Sequence, residues 1–173
     1  ESAKTAKSPE ALFIELALQD LRRAAELFKP AFKRSNTMDG WVSMEVSPLL
    51  AADTTGSIAA AKQIHDQAAT ENLLVKIPGT PEGVPAIEES IFNGIPINVT
   101  LLFSAEQYLA SAHAYLRGIE RRIQAGRDPV VRSVASLFVS RWDKASAGEL
   151  PEELHNKLGI AISQRTYRDY REL

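Results

Sequence analysis

The chain has 173 residues, 45% hydrophobic and 24% charged, with a formal net charge of −2. That size and balance fit one globular domain, exclude disorder, collagen and coiled coil as its main description, and leave no basic field for nucleic acid or an anionic membrane. Cysteine is absent and histidine occurs three times, so disulfides, thiolate nucleophiles and cysteine-zinc sites are excluded, and lysine, carboxylates and hydroxyls are left to carry any chemistry.

Residues 1–8 read as a polar tail or loop. From Pro9 the pattern turns helical, with Leu12, Ile14, Leu16, Leu18, Leu21, Ala24, Ala25 and Phe28 recurring near three and four apart. Pro30 is expected to bend or end this helix. Residues 36–40 are turn chemistry, and WVSMEV is a short alternating run closed by Pro48. A second helix is expected over 57–70, capped by TGS, with Ile58, Ala61, Ile64 and Ala68 as its buried stripe and Asn72 at its end. Asp53, Thr54 and Thr55 also read as capping residues. LLVKI is the second strand, closed by the turn formers PGTPEG. Residues 85–92 are helical, and Asn93-Gly94 stops them.

PINVTLLF is the third strand. Ser104 opens a long helix over 105–124, with Tyr108, Ala112, Tyr115, Leu116, Ile119 and Ile123 on one face and Gly126 at its end. SVASLFVS is the fourth strand. A polar loop through Gly148 leads to a last helix over 151–170, with a possible break near Gly159. The order is one helix followed by four strand–helix units, the spacing of parallel βα units. No apolar run approaches the ~20 residues that span a bilayer. ESAKTAKSPE lacks the apolar core of a signal peptide. A soluble, cytoplasmic domain is the expectation.

Side chains alternate faces along a strand. Ser43 and Glu45 share one face of the first strand; Lys76 shares its face with Leu74; Asn98 and Thr100 point together; Ser136 lies with Val134 and Phe138. The opposite sets, including Val42, Met44 and Val46, Val75 and Ile77, Val99 and Leu101, and Ala135 and Leu137, are apolar and fit to receive helices. An open doubly wound sheet tends to be apolar on both faces. Polar groups on one face only, toward the carboxyl ends of the strands, favour a (β/α) barrel with its chemistry in the lumen. A full barrel needs eight strands and ~250 residues. Four strands alone leave two open edges, so the expectation is a fragment of a longer chain or two copies that complete one another.

Lys76 stands mid-strand in an apolar run, where an ionised amine is costly unless paired. It reads either as a Schiff-base nucleophile, for which an apolar surrounding favours the neutral amine, or as the partner of an ion pair with Glu45, or as a snorkelling side chain. Glu45 reads as a water-holding, proton-moving carboxylate or as a simple counter-ion. Thr100 and Asn98 can position water and substrate hydroxyls; Ser136 is a weaker signal. Arg141 suits a phosphate ester at a barrel mouth, or a salt bridge to Asp143. Trp142 reads as packing. His65, His113 and His155 have no ligand spacing and read as structural, so no metal site is expected.

The runs DGWVSMEVSP (39–48), LLVKIPGTPEG (73–83), GIPINVTLLFS (94–104) and SVASLFVSRWD (133–143) resemble transaldolase. The likeness is to the longer bacterial type, including the transaldolase part of fusions with phosphoglucose isomerase. The resemblance covers nearly the whole chain from Pro9. It implies an α/β fold, part of a (β/α)8 TIM barrel, with 1–173 as a partial barrel domain holding about four βα units, the third to the sixth. It implies Lys76 as the Schiff-base lysine, Glu45 and Thr100 as holders of the catalytic water, Asn98 and Ser136 as contacts to a dihydroxyacetone unit, and Arg141 as a phosphate ligand. The implied reaction is the transfer of dihydroxyacetone between sugar phosphates, in the non-oxidative pentose phosphate pathway, without metal or organic cofactor. A fused phosphoglucose isomerase domain is an implied partner, beside the sugar phosphates; the four-strand count adds a homo-oligomer as an alternative, and the charge balance argues against nucleic acid and membrane. The family's catalytic aspartate and an asparagine lie on two earlier strands with no counterpart in ESAKTAKSPE. Two further strands are expected after Leu173. Alternatives are another class I barrel aldolase, such as one cleaving fructose 6-phosphate, and a non-catalytic half-barrel oligomer.

Overall fold

A computed structural model describes residues 8–173. The tail expected over 1–8 lies outside the described residues except for Ser8. That residue caps helix α1 (Pro9–Arg34), its Oγ accepting from the Ala11 N–H at 3.2 Å. Helix α1 runs through Pro30 instead of ending there. The proline is exposed, so the carbonyl it leaves unbonded can meet water, while Phe32 beyond it is buried and anchors the last turn. Leu18, Leu21, Ala25 and Phe32 form the buried stripe; Leu16 and Phe28, expected on it, are about half exposed.

Four parallel strands follow: β1 (Val42–Glu45), β2 (Leu73–Pro78), β3 (Ile97–Leu102) and β4 (Ser133–Leu137), joined in the strictly sequential order β1-β2-β3-β4. Between them lie α2 (Thr54–Ala68), α3 (Gly83–Phe92) and α4 (Ala105–Gln124). After β4 come α5 (Ser140–Ala145) and α6 (Leu158–Glu172). An open doubly wound sheet reverses its strand order at a switch point. This one does not, and the buried apolar cluster lies on one face only. There Val42, Leu73, Val75, Ile77, Ile97, Val99 and Leu102 pack against Ala61, Ile64, Ile87 and Ile91 of the helices. Arg132, just before β4, donates from Nε and Nη2 to Thr37 Oγ1, ahead of β1, at 3.2 and 3.0 Å. That link between the segments leading into the two outermost strands spans the N-terminal end of the sheet, as the curl of a barrel wall requires.

Several boundaries move for identifiable reasons. Helix α2 starts at Thr54 because Asp53, not the TGS triplet, is the cap, its Oδ1 accepting from Gly56 N–H at 2.9 Å. It stops at left-handed Ala69 rather than at Asn72. Asn72 is instead fully buried, its Nδ2 donating to the carbonyls of Ala25 (3.0 Å) and Gly40 (2.9 Å). It thereby ties α1 and the loop before β1 to the start of β2. Helix α3 begins two residues earlier than expected, because Thr80 Oγ1 accepts from Gly83 N–H at 3.0 Å.

Helix α4 buries Ser111, Ala114 and Gly118 rather than the aromatic face, and Ile123 is exposed. A β-carbon at Gly118 would sit 2.8 Å from Ile91 Cβ, so only glycine lets α4 approach α3 this closely. The fourth strand ends at Leu137, and the expected polar loop contains helix α5. The last helix does not run from 151. A short 3-10 turn at Glu152–Leu154 precedes α6, and Gly159 lies inside its first turn. Among the described residues no helix is long and apolar enough to cross a membrane.

Candidate active site

Lys76 and Glu45 face each other in register on β2 and β1. The Lys76 Nζ lies 3.4 Å from Glu45 Oε2, with side-chain exposures of 26% and 42%. On either side of Lys76 in sequence, Val75 and Ile77 are sealed in the helix-facing layer. Strand alternation alone thus lifts the amine out of the core and aims it into the concave side. The ion pair is direct, as the counter-ion reading of the sequence required, whereas the nucleophile reading favoured a water between the two groups. It is also open to water, so it contributes about 1 kcal/mol or less and does not lock the amine.

A cavity of about 920 Å³ at the carboxyl end of β1 reaches that side, walled also by Phe13 and Ile14 of α1 and by Ala59, Ala60 and Ile64 of α2. Glu45, Lys76, Thr100 and Arg141, with Ser47 and Gln63, supply its polar lining, and Met44, Leu101 and Phe138 part of its apolar wall. Thr100 is 1% exposed and stands opposite Pro78 in the sheet. Of the six residues singled out in the sequence, four therefore share one cavity.

The other two, Asn98 and Ser136, form a chain of their own. Ser136 Oγ donates to Asn98 Oδ1 at 2.8 Å, and Asn98 Nδ2 donates to Ser43 Oγ at 3.3 Å. The amide is thereby oriented from β4 on one side and β1 on the other. Ser43 was not singled out from the sequence. The signal was there, since it shares the inward face of Glu45, but a strand serine becomes informative only when a partner is known.

Arg141 lies on the first turn of α5, just beyond the run expected as the fourth strand. Its guanidinium stacks over the Phe138 ring, 4.1 Å from the centroid. The expected alternative, a salt bridge to Asp143, is not formed. Asp143 Oδ1 instead accepts from Gly159 N–H at 3.2 Å and caps the start of α6. Trp142 is packing, as expected: its Nε1 donates to the Phe103 carbonyl at 2.8 Å. Phe138 itself was missed as a site residue, because an aromatic at a strand end reads as core. His65 sits 3.6 Å from Asp66, and His155 Nε2 lies 3.1 Å from the Leu150 carbonyl. Among the described residues no three metal-ligating side chains gather.

A second hollow of about 540 Å³ lies on the outer side, between β4, α4 and α6. Tyr108, Tyr115, Tyr167 and Tyr170 supply much of its wall. Burial pushes the Tyr108 and Tyr115 phenols above their ordinary pKa, so both stay protonated at neutral pH, and Tyr115 donates to the Val131 carbonyl at 3.0 Å. It holds neither lysine nor carboxylate. The groups suited to covalent and proton-transfer chemistry are in the concave cavity.

A family model described as Transaldolase/Fructose-6-phosphate aldolase matches residues 1–173. Among curated proteins, the chain is 37% identical to a transaldolase of Trichodesmium erythraeum, over 98% of this chain and 49% of that protein. It is 43% identical to a transaldolase of Thiobacillus denitrificans, over 91% and 46%. It is 41% identical to one of Thermobifida fusca, over 89% and 44%. The chain spans about half the length of the curated relatives it matches.

Proposed function

The chain belongs to the transaldolase/fructose-6-phosphate aldolase family, and on that premise we propose that its concave cavity is the lysine side of a dihydroxyacetone-transferring site. The observation that carries this reading is the Lys76 amine, aimed from an apolar strand into a cavity it shares with Glu45, Thr100 and Arg141. The four strands are an arc of the family's TIM barrel. We read them as its third to sixth units, with the other strands supplied by the rest of a longer chain, or by a second copy.

The chemistry follows from the groups present. Lys76 Nζ adds to the ketone carbonyl of a ketose phosphate such as fructose 6-phosphate or sedoheptulose 7-phosphate. The ammonium must first lose a proton, and Glu45 is the adjacent carboxylate to take it, directly or through a water that Thr100 helps hold. Loss of water from the carbinolamine gives an iminium. As the C3–C4 bond breaks, the C4 hydroxyl gives up its proton, an aldose phosphate leaves, and the electron pair moves onto the iminium to form an enamine. The enamine attacks the aldehyde of an acceptor aldose phosphate, and hydrolysis releases the new ketose phosphate. Asn98, fixed by Ser136 and Ser43, contacts hydroxyls of the retained unit. Arg141, placed over the Phe138 ring, offers its N–H fork to the phosphate at the mouth. The acid/base for C–C cleavage is assigned to the family's aspartate on a strand outside these four. The proposed reaction belongs to the non-oxidative pentose phosphate pathway, and the compartment proposed for it is the cytoplasm.

The test is to incubate the complete protein with fructose 6-phosphate, reduce with borohydride and map the adduct. Attachment at Lys76, and its loss together with turnover in Lys76→Ala, is the expected result. Attachment to a different lysine, with Lys76 unmodified, would sink the assignment. Adding an aldose phosphate acceptor separates transfer from simple release of dihydroxyacetone by a fructose 6-phosphate aldolase.

A further inference from the structure

We propose that a one-residue bulge in β3 assembles this cavity, with Leu101 as a positioning residue that acts through its backbone. The proposal rests on the function assigned above and deepens it. Regular alternation would send residues 97, 99 and 101 outward and 98, 100 and 102 inward. The structure departs from that pattern after Thr100. Val99 stands opposite Ala135 and Leu102 opposite Leu137, so three steps along β3 match two along β4. The surplus residue is Leu101, and its φ is +55°.

A left-handed leucine inside a strand is costly, and it persists only where the residues around it fix both ends. Both ends are fixed here. Val99 and Leu102 are 3% and 0% exposed, and both flank Gly79 in the outer layer. The Gly79 N–H donates to the Thr100 carbonyl at 2.8 Å, and the Phe138 N–H donates to the Leu102 carbonyl at 2.8 Å.

The extra residue re-phases everything beyond Thr100. Leu102 enters the outer core instead of the cavity, and Leu101 lines the cavity next to Thr100. Phe103 meets Phe138 edge-on, with ring centroids 5.2 Å apart, and Phe138 carries the Arg141 guanidinium. A straight strand would turn Phe103 to the outer face and remove that support. One bulge thus sets the cavity at both ends, beside the lysine and beneath the arginine. Bulges that re-aim side chains gather next to active sites for this reason.

The experiment compares variants of the complete protein by melting temperature, fructose 6-phosphate kinetics and borohydride adduct at Lys76. Leu101→Gly accepts a positive φ and Leu101→Ala does not, so the glycine variant is expected to melt above the alanine one, the reverse of an ordinary strand position. Leu101→Val keeps apolar bulk but resists the bulge. Its kcat/KM is expected to fall roughly tenfold or more below that of Leu101→Gly, the scale of an ångström-level misplacement. Leu101→Asn, which tolerates a left-handed backbone, should side with glycine. Alanine melting above glycine, or valine matching glycine in kcat/KM, would overturn the proposal. Absence of adduct in the unsubstituted protein is a different failure, that of the proposed function.

Discussion

On the outer face of the sheet, Leu73, Val75, Ile77, Ile97 and Leu102 are at most 1% exposed and pressed against three helices. On the inner face, one residue away along the same strands, Lys76 and Glu45 are 26% and 42% exposed, and Asn98 reaches Ser43 across the hollow. Ile77 and Lys76 are sequence neighbours with the same backbone and opposite duties. The outer face carries the stability of the fold, because close-packed apolar contacts are lost outright when a side chain is shortened. The inner face carries less of it around Lys76 and Glu45, which keep partial contact with water although Leu74 and Thr100 beside them are buried. It is therefore free to be chosen for chemistry.

The contrast can be broken or sharpened by substitution in the complete protein. The largest effect is expected for Glu45→Gln. Removing the carboxylate beside the amine should lower kcat by roughly 10² to 10⁴-fold, the range for a general acid/base. The exposed pair it breaks is worth about 1 kcal/mol or less, so the melting temperature should barely move. A variant that mainly unfolds would show that the inner face is structural after all.

Ile77→Ala should do the converse. It leaves a void in the sealed layer and should cost about 2–5 kcal/mol in denaturant unfolding. The folded fraction should still form the adduct at Lys76. Loss of adduct in protein shown to be folded would mean that the two faces are coupled.

The smallest effect is expected for Arg141→Ala. It should raise KM for phosphorylated sugars about 10 to 10²-fold, as loss of a charge-assisted contact predicts. Dihydroxyacetone used as donor should be affected far less. Equal losses on both donors would make the arginine a structural cover for Phe138.

The two-residue alternation of strands and the three-to-four spacing of helices are local properties, and they are written in the chain. They placed Lys76, Glu45, Asn98 and Ser136 on one face, located four βα units, and put α4 on its observed residues. The signals that failed were those with distant causes. Pro30 does not stop α1, since Phe32 is held in the core and the proline faces water. Asn72 looks like a helix terminator until the carbonyls of Ala25 and Gly40 are brought to its amide. Arg141 beside Asp143 reads as a salt bridge until Gly159 takes the carboxylate and Phe138 takes the guanidinium. Leu101 reads as an outward residue until Leu102 claims the outer core and forces the bulge. What the sequence determined by itself was which side chains each strand could offer to the cavity, because a strand's period acts between adjacent residues. What only the tertiary structure decided was how they meet, because hydrogen bonds and packing between residues far apart in the chain outweigh the preference of any single one.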